Sequence, residues 1–280
     1  MTRTLWLVLG MLVTLHLGCN AAETPGASDG SGGSSAGGDG AESGSGGVGG
    51  AGGPGGVGGS AGVGGEPVNH LGRARCRPPE GMNGTPHSIE DAVALLNALP
   101  KPTSVACFVE SLDRPLIANA TSSTFSAQPA TSYESPRVFV KVDRTWISVV
   151  IDGDATDLIE FGYLLDDGLH SIKGELKLPS TEAIAPTAPF DRVRFGESST
   201  VCGLCHRDET LERVVGDTSI YSSLSFRPRP ETVVPLDFLR NEAQTCDWAL
   251  QPHRCEMLSA IFDGGPVDDG QFPAEMVTFF

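Results

Sequence analysis

The chain has 280 residues, is 39% hydrophobic, and carries 35 acidic against 19 basic side chains for a formal net charge of −16. Acids in excess, with no cluster of Lys or Arg interleaved with aromatics, argue against nucleic acid as a partner and against adhesion of the folded part to an anionic membrane. No apolar stretch beyond the N-terminal one approaches the length of a bilayer crossing.

Met1, Thr2 and Arg3 form a short basic start, and an apolar run from Leu5 to Leu17 leads to Gly18 and Cys19. The run is too short for a stable transmembrane helix, and a small residue directly before cysteine is what a lipoprotein signal peptidase requires. The segment resembles a bacterial lipoprotein signal, with His16 standing where an aliphatic is usual. That resemblance implies a signal peptide over residues 1–18 and a lipid on Cys19. It also implies a cell-envelope location outside the cytoplasm, with the outer membrane as the expected anchor. The membrane is then a partner only through that lipid.

From Gly26 to Gly65 the chain is almost wholly Gly, Ser, Ala and Val with a few acids. Such a segment has too little apolar surface to offset the entropy of ordering it, and no strict Gly-X-Y period exists for a collagen helix. Residues 19–66 are therefore expected to be a disordered tether. About forty residues of this composition reach roughly 30 to 40 Å.

Residues 67–280 are expected to form a single domain. Ser88 to Leu99 reads as a helix, with a Ser cap, Asp91 as its capping partner, an apolar face through Ile89, Val93 and Leu96, and Pro100 as its stop. From Arg137 the period becomes two. Val138, Val140 and Val142 alternate with Phe139, Lys141 and Asp143; Thr145 to Ile151 is a β-branched and aromatic run; Ile172, Gly174, Leu176 and Leu178 alternate with Lys173, Glu175 and Lys177. Arg254 to Phe262 reads as a second helix stopped by Gly264 and Gly265. The predicted class is α+β, mainly β: an antiparallel sheet or one half of a sandwich with a few short helices, the Ser88 helix at an edge, stapled by disulfides.

Of the seven cysteines, Cys76, Cys107, Cys202, Cys205, Cys246 and Cys255 lie in the predicted domain. An even set in an oxidising compartment suggests a disulfide framework with fifteen possible pairings. Proximity favours two of them. Cys246 with Cys255 closes a loop worth roughly 2 to 3 kcal/mol, and Cys76 with Cys107 clamps the two sides of the Ser88 helix for roughly 3 to 4 kcal/mol.

Cys202-Gly203-Leu204-Cys205-His206 is the sharpest motif in the chain, lying in a less regular region over residues 196–280. A Cys-x-x-Cys-His sequence resembles the attachment site of c-type cytochromes, which implies thioethers from Cys202 and Cys205 to haem c and His206 as proximal ligand. Met257, and beside it Met276, are then candidates for the distal position. Gly196 to Val201 reads as a loop rather than the helix in which small cytochromes place the motif. A structural or redox-inert Cys202–Cys205 pair is the leading alternative. A thiol-disulfide oxidoreductase with Cys202 as nucleophile, or a zinc site built on Cys202, Cys205 and His206, fits less well because the βαβ context and a second close ligand pair are missing.

No Gly-x-Ser-x-Gly, His-Glu-x-x-His or phosphate-binding loop is present, so no catalytic residue or metal ligand is assigned and an enzyme is the less favoured class. Leu-Asn-Ala-Leu-Pro-Lys-Pro at 96–102, Glu-Ser-Leu-Asp-Arg-Pro-Leu at 110–116, Ser-Ala-Gln-Pro-Ala at 126–130 and Ser-Pro-Arg-Val-Phe at 135–139 resemble phrases of uncharacterised exported bacterial proteins. That resemblance implies a coherent module without a known activity. The sequence thus predicts a lipid-anchored binding or structural module whose envelope partner or ligand is unspecified, with electron transfer through one c-type haem as the alternative.

Overall fold

The computed structural model describes residues 74–278; the predicted signal, Cys19 and the tether lie outside the described residues. In chain order the helices are α1 (Ile89–Ala98), α2 (Val105–Ser111), α3 (Ala188–Arg192), α4 (Leu236–Gln244) and α5 (Pro252–Phe262). The strands are β1 (Leu116–Thr121), β2 (Arg137–Val142), β3 (Thr145–Val150), β4 (Leu158–Leu164), β5 (His170–Lys177), β6 (Arg194–Phe195), β7 (Ser199–Thr200), β8 (Thr210–Val215), β9 (Thr218–Leu224), β10 (Phe226–Arg227), β11 (Val233–Val234), β12 (Val267–Asp269) and β13 (Val277–Thr278).

The protein is α+β and mainly β, as the alternation predicts. Nine strands form one sheet in the order β11-β1-β2-β3-β4-β5-β9-β8, with β12 added in parallel beside β1. The remaining pairings in that sheet are antiparallel. Helices, rather than a second sheet, cover its apolar face. Val138, Val140, Ile147, Val149, Ile159, Phe161, Ile172, Leu176 and Ile220 are buried there against Ile89, Val93 and Leu96 of α1, Phe108 of α2 and Leu258 and Ile261 of α5. Each such side chain contributes about 1.5 to 3 kcal/mol when fully buried. Phe108 meets Phe161 edge to face at 6.3 Å. α1 contacts β4, in the middle of the sheet rather than at an edge.

Local chemistry sets the helix ends. Ser88 Oγ accepts from the Asp91 amide at 3.0 Å, while the Asp91 carboxylate reaches back to the His87 amide at 3.2 Å, one residue before the partner of an ideal capping box. α5 ends at Phe262, where the Arg114 guanidinium donates to the carbonyls of Ile261 and Ala260 and fills the space a side chain at Gly264 would need. Cys76 pairs with Cys107 and Cys246 with Cys255, the two pairings that sequence proximity favours. The first ties the segment before α1 to α2; the second ties the end of α4 to α5.

Candidate functional site

The face of the sheet opposite the helices is polar, and two later segments cover it. Cross-strand register aligns Phe139, Ser148, Glu160 and Glu175 in one row and Lys141, Trp146, Gly162 and Lys173 in the next. Gly162 stands between Trp146 and Lys173 and leaves a notch that a side chain would occupy; a Cβ there would meet only the Ser171 hydroxyl, at an ordinary 3.5 Å. Over this notch lie the Cys202–His206 turn and the C-terminal segment, which parallel pairing of β13 with β10 holds in place. The result is a cavity of about 90 Å³ lined by Arg137, Ser148, Glu160, Gly162, Ser171, Lys173, His206 and Ser225, with Phe139, Trp146, Phe226, Phe272 and Met276 among its apolar walls. Phe272 stacks on Trp146 at 4.2 Å and meets Phe139 edge to face at 5.3 Å.

The charges in the cavity are unequally matched. Arg137 has a partner at each nitrogen: they donate to the Glu160 carboxylate and to the hydroxyls of Ser126 and Ser148. Lys173 donates to the Ser171 hydroxyl, which also accepts from Ser225 at 2.8 Å, and forms no ion pair among the described residues. Lys173 is half-buried in the cavity wall, and burial pulls its pKa down to about 8; Cys202 and Glu160 oppose that shift, and Arg137 adds to it.

The turn carrying the motif is built from Thr200. Its hydroxyl accepts from the Gly203 amide at 3.3 Å, and both its amide and its hydroxyl donate to the Glu209 carboxylate. Amides of Cys205 and His206 both donate to the Cys202 carbonyl, at 3.1 and 2.8 Å, and residues 201–204 wind as a 3₁₀ turn. Gly203 makes room for the Glu209 carboxylate at that point, because a Cβ would lie 2.7 Å from Glu209 Oε2. His206 stacks on Phe226 at 5.1 Å and donates from Nδ1 to the Leu224 carbonyl at 2.8 Å, leaving Nε2 as an acceptor. Burial, then the Lys173 charge, lowers its pKa to about 3, against the pull of that carbonyl.

The motif thiols do not join each other. Cys202 is a free thiol, and Cys205 is engaged with another partner. The Cys202–Cys205 pair is therefore corrected: the turn leaves Cys202 half-buried, near Lys173 and Glu160. Burial and then Glu160 push its thiol up to about 11, with Lys173 and Thr200 opposing. A nucleophile of the thioredoxin type needs the opposite shift. Met257 is buried in α5 as part of the apolar core, whereas Met276 lines the cavity with His206.

His206 and Met276 on one cavity, with Nδ1 of the histidine tied to a carbonyl, match part of what a haem site needs. The rest does not fit: the volume is about 90 Å³, pockets for drug-sized ligands run to roughly 300 to 1,000 Å³, the His206 ring is covered by Phe226, and Cys205 is engaged elsewhere. No group of three His, Cys, Asp or Glu side chains among the described residues is arranged to hold a metal ion.

Arg137, Glu160, Gly162 and Lys173 carry no motif. The one signal for them is the second face of the alternation, where Phe139 and Trp146 share a face with charged residues instead of leaving it wholly hydrophilic. Comparison of the chain with protein-family models, curated proteins and solved structures finds no match.

Proposed function

We propose that this protein is a lipid-anchored envelope protein whose β-rich domain is a binding module, with the cavity over Gly162 as its ligand site. One observation carries the binding reading: a lysine without an ion pair among the described residues faces a notch that a glycine opens between an aromatic wall and a polar floor. A merely structural sheet would fill that position with a side chain and leave the lysine to solvent. The anchoring part rests on the segment leading to Gly18-Cys19. Attachment is assigned to the lipid on Cys19.

Two variants test the two parts. Cys19→Ser should move the protein from the membrane fraction to the soluble envelope fraction or stall its processing, and continued membrane retention of the mature form would refute the anchor. Gly162→Val should fill the notch without disturbing the strand. In a thermal-shift screen of small polar compounds, some should raise the melting temperature of the wild type but not of Gly162→Val. Identical responses of the two proteins would refute the site.

A further inference from the structure

Resting on that binding reading, we infer that the ligand group held over Gly162 is a small monoanionic carboxylate, recognised by Lys173 and His206. The charge balance on the cavity floor points to it. Glu160 neutralises Arg137, and all three nitrogens of that guanidinium are engaged, so the Lys173 ammonium is a cation in excess. It has three N–H donors and gives one of them to Ser171. A half-buried charge without an adjacent counter-ion is only partly solvated, and the group that relieves it is an anion small enough for the notch.

Size and the remaining donors narrow the class. A cavity of about 90 Å³ takes a carboxylate with one or two further atoms, not a sugar ring or a nucleotide. The neutral His206 ring presents Nε2 as an acceptor, which repels a second negative charge and suits a hydroxyl or amine hydrogen next to the carboxylate. Phe226, Trp146 and Phe272 wall the notch with apolar surface, where a charge-assisted hydrogen bond is stronger than in water. A longer ligand is accommodated only if its carboxylate end enters first.

The groups facing Lys173 define the pH behaviour. They are Cys202 and His206 from the turn, Glu160 from β4 and Arg137 from β2. His206, with its pKa near 3, stays neutral at neutral pH, and Cys202, near 11, stays a thiol. Lys173 alone changes charge just above neutrality, so carboxylate affinity should be full near pH 7 and fall as pH rises through about 8.

The test uses the full chain in detergent, titrated with acetate and with its neutral isostere acetamide, ionic strength being held with chloride. Acetate should bind in the millimolar range at pH 7 and about thirtyfold more weakly at pH 9.5, while acetamide should not bind. Lys173→Met should weaken acetate at least tenfold, and Gly162→Val should abolish it. Should Lys173→Met fail to fold, the pH series on the wild type and Gly162→Val decide the matter. Equal binding of acetate and acetamide, or acetate binding that ignores pH and Gly162→Val, would overturn the carboxylate assignment. Gly162-dependent hits in the wider screen without acetate binding would sink this inference alone; absence of any Gly162-dependent ligand would sink the binding reading with it.

Discussion

The Nδ1 nitrogen of His206 lies 2.8 Å from the carbonyl oxygen of Leu224, so the last residue of the Cys-x-x-Cys-His motif is held by the end of β9. This bond fixes the tautomer and pins the turn over the sheet. Desolvation of the half-buried ring, and then the neighbouring Lys173 cation, lower its pKa to about 3 from an ordinary 6.5.

A stability profile follows from that depression. In the unfolded chain His206 takes up a proton below about 6.5, while the folded protein resists it down to about 3. The unfolded state therefore binds more protons in that window, and stability falls as pH drops from 6.5 towards 3. His206→Gln can still donate to Leu224 from its amide and removes the titration. Relative to the wild type, its melting temperature should decline less between pH 7 and pH 4; parallel declines would show that His206 is not held neutral.

The turn itself should depend on Gly203 and Glu209. Gly203→Ala places a Cβ 2.7 Å from a carboxylate oxygen already bound to the amide and hydroxyl of Thr200. The side chain must yield and lose at least one of those bonds, for a destabilisation of about 1 to 3 kcal/mol. Chemical denaturation measures it. Gly216→Ala, in an exposed turn with nothing near its Cβ, is a useful contrast: its cost arises from the positive φ of 60° and not from crowding, and Glu209→Ala should relieve Gly203→Ala but not Gly216→Ala.

The disulfides give a prediction of graded size. Cys76 and Cys107 are separated by 31 residues, Cys246 and Cys255 by 9. Opening the longer loop should destabilise by about 3 to 4 kcal/mol and the shorter by about 2 to 3 kcal/mol in the chain-entropy model. Paired Ser substitutions followed by urea unfolding check the order. A larger loss at Cys246–Cys255 would mean that the junction of α4 and α5, where Arg254 also joins Glu242 and the Glu134 carbonyl, matters more than loop entropy.

What the sequence disclosed was local. Ser88 and Asp91 announce α1, and the two-residue period of Val138-Val140-Val142 announces β2, because caps and alternation involve neighbours along the chain. α2 escaped notice because every residue of Val105–Ser111 is buried, so it has no polar stripe to betray a helical period. β9 is rich in serine and β4 contains Gly162, both of which weaken a strand pattern. The site was hidden for another reason. Lys173 and Glu160 sit on the polar side of their strands, where sequence alone assigns solvent, and only the Cys202–His206 turn and the C-terminal segment convert that side into an interior. The motif could be seen; the lysine beneath it could not.

The remaining prediction concerns what the motif carries. Cys202 is a half-buried free thiol near Glu160 and Lys173, with its pKa pushed up to about 11. Made in a host with intact haem-attachment machinery, the protein should be colourless, show no Soret band, and have no added haem mass. Native alkylation by iodoacetamide at pH 7.5 should be slow at Cys202 and complete only after denaturation, since the reactive species is the thiolate. Peptide mapping without reductant should place that label on Cys202. A red product whose colour survives acid-acetone extraction would instead establish thioether-bound haem and require the turn to lift from the sheet, taking His206 away from Leu224. Rapid native alkylation without colour would mean that the turn opens by itself, and that the cavity over Gly162 is accessible through it.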